Sequence, residues 1–189
     1  ELLWREFYQH ILFDFPQVSK HLPFKAATQN INWRDDPVNL EKWQQGQTGI
    51  PIVDAGMRQL LATGWMHNRV RMICAMFLTK NLLIDWRIGE QWFMQHLIDG
   101  DLAANNGGWQ WCASTGTDAA PYFRVFNPIS QSQKFDSNGD YIRKWVPELA
   151  HLDAQIIHEP YAKYLSKNLN YPKPIVDLKT SRARAIEAF

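Results

Sequence analysis

The apolar residues of this chain recur three and four positions apart along most of its length, and no segment alternates convincingly. That periodicity commits the backbone to helices and offers no sheet to build on. Leu2, Leu3, Phe7, Ile11 and Leu12 set the first stripe, which Phe15-Pro16 closes. Residues 16–36 read as irregular. Asp36-Pro37 then supplies a cap and a first-turn proline for a helix that Gly46 stops. Pro51 opens another through Met57, Leu60 and Leu61, ended by Gly64. The most apolar helix is expected from about Met66 to Leu83, with Val70, Ile73, Cys74, Phe77 and Leu78 buried. Its first turn holds His67, Asn68, Arg69 and Arg71. Ile88 to Ile98 is amphipathic, and Asp101 caps a helix over roughly Leu102 to Ser114.

Beyond Gly116 the pattern loosens. Residues 135–140 read as a turn, and Tyr141 to Leu149 as a short helix ending near Pro147. Scattered prolines and basic residues from Pro160 onward predict a loosely packed tail. The expected fold class is mainly α, a non-repeating helical cluster, with 1–159 as helical core and 160–189 as tail.

Composition narrows the function classes. With 46% hydrophobic and 21% charged residues the chain is not disordered. A formal charge of +1 names no partner, although a balanced total can hide a basic face. The longest apolar stretch, Ile73 to Ile84, is broken by Thr79, Lys80 and Asn81 and is too short to span a bilayer, so no membrane partner is expected. Cys74 and Cys112 build no disulfide framework, and no Cys/His cluster has zinc spacing. A reducing, cytoplasmic compartment and a monomer without metal are the expectations. The first residue is Glu inside a helical pattern, which reads as a piece of something longer. Nine Trp, ten Phe and six Tyr are a heavy aromatic load, suited either to an aromatic core or to stacking on a flat ligand or bases.

Three stretches concentrate chemistry. Asp99-Gly100-Asp101 runs into Asn105-Asn106-Gly107-Gly108-Trp109-Gln110-Trp111, where a packed helix would prefer Leu and Ala. Each helical glycine costs about 1 kcal/mol relative to Ala, which close approach to a ligand or another helix would offset. The carboxylates either cap the helix or accept hydrogen bonds from a ribose or heterocycle; a calcium loop is excluded because Ala103 stands where it would need Asp or Asn. Asn68, Arg71 and Met72 share one face at a helix N-terminus, and a buried Arg71 would need an acid such as Asp99. His67 reads as a hydrogen-bonded core residue. Glu1, Trp4 and Arg5 form the third set, and Pro121 to Pro128 is an aromatic loop carrying Arg124. No P-loop, GxGxxG, GxSxG or HExxH is present, so neither a phosphate cradle nor a hydrolase nucleophile is in view.

Taken together, Glu1 to Phe7, Thr48 to Arg58, Gly64 to Arg69, Asp99 to Trp111 and Ala113 to Arg124 closely resemble the photolyase/cryptochrome family. Five such stretches in order are very specific, and the likeness thins after about Pro160. It is nearest to class I cyclobutane pyrimidine dimer photolyases. Six-four photolyases carry a histidine pair where this chain has His67-Asn68, and plant cryptochromes tend to carry an acid at Asn105.

The resemblance implies the carboxy-terminal part of an FAD-binding domain. The family's N-terminal α/β antenna domain with its second chromophore, and an upstream flavin segment, lie outside the sequence. It implies that Asp99, Gly100, Asp101, Arg71, Asn68 and Asn105 hold FAD, with Asn105 beside its reactive nitrogen. Glu1, Trp4, Arg5, Asn68, Arg69, Met72, Trp111, Arg124 and Ser130 would receive DNA and its flipped pyrimidine dimer, with Glu1, Asn68 and Asn105 catalytic. Trp33, Trp86 and Trp109 match the family's electron-carrying tryptophans. The implied activity is light-driven repair of pyrimidine dimers, a carbon–carbon lyase reaction. A blue-light receptor of the cryptochrome type is the alternative.

Overall fold

The computed structural model describes residues 2–117, 124–163 and 169–189, and the described residues contain helices and no strand. Helix α1 (Leu2–Asp14) ends at Phe15-Pro16, in agreement with its sequence stripe. Short 3-10 turns at Pro16–Lys20 and Ala26–Thr28 punctuate the irregular segment that follows. Asp36 caps α2 (Pro37–Gln44) through the Asn39 N–H. Helix α3 (Pro51–Thr63) stops at Gly64, which adopts φ +67° in the left-handed region.

The expected long apolar helix is divided. Helix α4 (Asn68–Met76) passes into a π-helical stretch, Phe77–Leu82, whose Thr79 hydroxyl bonds the Ala75 carbonyl. His67 is exposed and caps α4 by accepting the Arg69 N–H, so it is not the core residue expected. Helices α5 (Trp86–His96) and α6 (Leu102–Cys112) carry the caps Asp85 and Asp101.

The described residues beyond Gly116 are more ordered than their pattern suggests. Asn127-Pro128 caps and opens α7 (Pro128–Phe135), and α8 (Asp140–Trp145) follows the expected turn. Two four-residue helices come next, α9 (Ala154–Ile157) and α10 (Pro160–Lys163). The expectation of a loose tail is corrected in the described residues. Helix α11 (Leu178–Ala188) packs on the π-helical stretch with Ser181 and Ala185 buried. Tyr171 is buried as well, its hydroxyl on the Asp54 carboxylate, and Ile175 N–H bonds the Thr48 carbonyl. Small and polar residues make these contacts, so no apolar periodicity announces them.

Helices α3, α4, α5 and α6 enclose the core. Trp43 and Phe93 stack at 6.0 Å, and Trp109 meets both edge-on, at 6.1 Å and 4.9 Å. Each such ring contributes about 1.5–3 kcal/mol on burial. Much of the aromatic load is therefore core.

One core residue makes stability depend on pH. Lys80 is buried in the π-helical stretch, where its amino group donates to the Ala113 carbonyl (3.1 Å) and Ser114 Oγ (2.9 Å) and lies over the Phe189 ring. Burial lowers its pKa to about 6 from the usual 10.5. Between those values the unfolded chain binds more protons than the folded one, so stability rises with pH across that window and is lost as pH falls toward about 6. The thermal midpoint is expected to climb from pH 6 to pH 9, and Lys80→Met to flatten the climb. An unchanged slope in the variant would reject this origin.

Candidate functional site

A cleft of about 130 Å³, open to solvent, lies where α4, α5 and α6 meet. Helix α4 contributes Asn68, Arg71, Met72 and Ala75; α5 and its end contribute Phe93 and Leu97. The α5–α6 turn adds Asp99, Gly100 and Asp101, and α6 adds Ala104, Asn105, Gly108, Trp109 and Cys112. One wall is thus polar and charged, and the other is apolar and aromatic. That division suits a flat heterocycle with hydrogen-bonding edges.

The charged wall is organised by one fork. Arg71 Nη2 reaches both Asp99 oxygens, at 2.9 and 2.8 Å, and its Nε–H donates to the Met66 carbonyl at 2.7 Å. The guanidinium therefore ties the start of α4 to the turn before α6. Asp101 caps α6 through the Ala104 N–H (2.9 Å) and receives the Gln9 amide from α1 (3.1 Å). Its capping role accounts for its presence without a ligand.

Asn105 donates its amide to the Glu90 carbonyl at 3.0 Å, which leaves its own carbonyl end for a ligand. Glu90 is buried behind it; burial raises that carboxyl's pKa, opposed by His21 and by the amides of Asn105 and Asn106. Burial also pushes the Cys112 thiol up to about 12, so Cys112 lines the cleft as a neutral group. A Cβ built on Gly89 falls 2.2 Å from Trp109, so α5 must be bare there for the indole to lie flat in the core.

The structure gathers Asn68, Arg71, Met72, Asp99, Gly100, Asp101, Asn105 and Trp109 into this one cleft. The remaining expected residues lie outside its lining. Trp4 is exposed on α1 against Phe7 (5.6 Å) and Tyr8 (6.2 Å), and Arg5 is exposed beside it. Trp111 packs on Phe126 at 6.2 Å; Arg124 and Ser130 are exposed. Trp86 is fully buried under the Arg87 guanidinium, and Trp33 is half-buried, edge-on to Phe189 at 5.7 Å. Glu1, and residues 118–123 of the aromatic loop, lie outside the described residues.

Sequence reasoning missed Trp43, Phe93, Leu97, Cys112 and Glu90. The first four look like ordinary core positions. Glu90 carried a usable signal, an acid three residues before Phe93 on the apolar face of α5. Among the described residues no helix is long and apolar enough to cross a membrane.

A deoxyribodipyrimidine photo-lyase of Escherichia coli is 58% identical over 191 residues, covering all of this chain and 40% of that protein. A bacterial class III photolyase from Agrobacterium tumefaciens superposes with a TM-score of 0.94 at 49% identity, over all of this chain and 40% of that one. A cryptochrome from Synechocystis superposes at 0.91 with 39% identity, again over 40% of its length. The chain therefore spans about two-fifths of the proteins it matches. The family model described as the FAD binding domain of DNA photolyase matches residues 1–189, and the chain belongs to that family.

Proposed function

We propose that this chain is the carboxy-terminal part of the flavin domain of an enzyme that repairs cyclobutane pyrimidine dimers in DNA with light. The observation that carries the reading is the cleft itself. The Arg71–Asp99 pair, the Asn105 amide and the Trp109 wall face one space, and Asn68 and Met72 line the same space from α4. FAD fits these residues. Gly108 lines the cleft with no atom within 4 Å of where its Cβ would stand, leaving room for a ring against bare backbone.

The chemistry supplied by bound reduced flavin is the light-driven loan of one electron. The chain's own residues do the rest. Trp109 and Phe93 exclude water from one side of the cleft, which strengthens every polar contact on the other. Arg71 neutralises Asp99, so this acid does not repel a nucleotide's phosphates. The Asn105 carbonyl offers an acceptor, favouring a ring nitrogen that carries a proton and hence a reduced ring. Asn68 and Met72 offer a polar and an apolar contact to a flipped lesion, which unstacks at less expense than an intact base. On the same reading Glu1, Trp4 and Trp111 would contact the lesion, Arg5, Arg69, Arg124 and Ser130 would hold the strand, and Trp33, Trp86 and Trp109 would supply the route for electrons to a bound flavin.

The E. coli relative is named a deoxyribodipyrimidine photo-lyase and supports repair; the likeness to a cryptochrome keeps a receptor as the rival reading. The test uses the full-length protein that contains this segment. It is expected to show flavin absorption and to restore a dimer-containing oligonucleotide under blue light. Asn105→Ala is expected to lower the reduced fraction of flavin at equilibrium. Flavin without repair would replace this reading with the receptor.

A further inference from the structure

Beside the cleft, aromatic rings and cations form a ladder that runs from the edge of the core, where Trp111 and Phe126 pack, out to solvent. Trp111 meets Phe126 at 6.2 Å, and the Arg69 guanidinium lies 6.0 Å from the Phe126 ring and 4.6 Å from that of Phe135. Lys134 Nζ stands 5.4 Å from the same Phe135 ring. Phe135 ends α7 and is 50% exposed, so its ring face is open to solvent beside the two cations. Among the described residues neither Arg69 nor Lys134 pairs with a carboxylate. Two cations thus share one exposed ring with no described anion between them, one residue along α4 from Asn68 of the cleft.

The geometry points to Phe135 as a positioning residue for phosphodiester recognition, an inference that rests on the reading of the partner as DNA. A guanidinium stacked on a ring keeps its N–H edge free, and that edge matches two phosphate oxygens. The ring restricts a long side chain that would otherwise be ordered only at the moment of binding. Phe135 therefore acts through Arg69 and Lys134. A direct stack of Phe135 on a base is the competing use of the same ring.

The two uses differ in their salt dependence. Each phosphate contact contributes nearly one unit to the slope of log K against log salt, whereas stacking on a base contributes none. The experiment measures binding of the full-length protein to undamaged and dimer-containing duplexes over a salt series. Phe135→Leu keeps apolar bulk and removes the aromatic face, and its thermal midpoint and flavin absorption report folding. It is expected to weaken both duplexes about three- to tenfold and to reduce the slope by about one. Phe135→Trp is expected to retain wild-type affinity. Adding Phe135→Leu to Arg69→Gln is expected to produce less than the sum of the two losses. Unchanged affinity in Phe135→Leu, or a loss at unchanged slope, would overturn the inference and leave the repair reading standing. Wild-type protein indifferent to both duplexes would remove the repair reading first, and this inference with it.

Discussion

Replacing Asp54 with Ala is expected to lower the thermal midpoint by more than about 10 °C, well beyond the effect of an ordinary point substitution. Asp54 is fully buried in the first turn of α3. Its Oδ1 accepts the Thr48 N–H (2.7 Å) and the Thr48 hydroxyl (2.6 Å); its Oδ2 accepts the Gly49 N–H (3.0 Å) and the Tyr171 hydroxyl. Burial raises the carboxyl's pKa, with those hydrogen bonds working against it.

Removing the carboxylate would orphan four donors at once, each at about 1–3 kcal/mol when buried. The sum approaches the whole stability of an ordinary domain, about 5–15 kcal/mol. Tyr171→Phe removes one donor and leaves three, so it is expected to cost only about 1 kcal/mol, or a few degrees. Thermal unfolding of the two variants in the full-length protein checks both numbers. If Asp54→Ala melted within a few degrees of wild type, the carboxylate would not be joining the tail to α3.

That junction also marks what a sequence withholds. Tyr171 and Asp54 lie 117 positions apart, and nothing local in either stretch announces the other. The same holds for Asn81, whose amide bonds the Ser181 hydroxyl across 100 positions. Buried polar pairs look like surface residues until the fold brings them together, which is why the tail reads as loose. Local signals are legible where chemistry repeats. Caps at Asp36, Asp101 and Gly64, and stripes through α1, α3 and α5, place most of the helices. Asn127-Pro128 carries an equally good start for α7, but the residues after it are polar and give no stripe.

The cleft is legible because its residues are poor helix formers placed in a helix. Its apolar wall is not, since Phe93 and Leu97 repeat like any core positions. The tryptophans divide in the same way. Trp109 is marked by the Asn105-Asn106-Gly107-Gly108 run before it, whereas Trp43, its partner in the core, sits among the ordinary polar residues of a surface helix.

The glycine pair of α6 yields the sharpest prediction, because neighbouring residues should respond with opposite signs. A Cβ built on Gly107 falls 2.1 Å from the Tyr8 ring of α1, whereas one on Gly108 meets nothing within 4 Å and stands in the cleft wall. Gly107→Ala is therefore expected to force α1 off α6 and destabilise the protein by about 1–3 kcal/mol. Flavin affinity per folded molecule should hardly change, and Tyr8→Ala should recover part of the lost stability by vacating the space. Gly108→Ala gains helix propensity, worth up to about 1 kcal/mol and a few degrees in thermal midpoint. Its methyl occupies the space offered to the ring, so flavin binding is expected to weaken about ten- to hundredfold. Thermal midpoints of the flavin-free proteins, with titration of each by FAD, separate the two effects. A Gly108→Ala protein that melted early yet bound FAD normally would mean that α6 is bare at this position for packing, and that the flavin lies elsewhere.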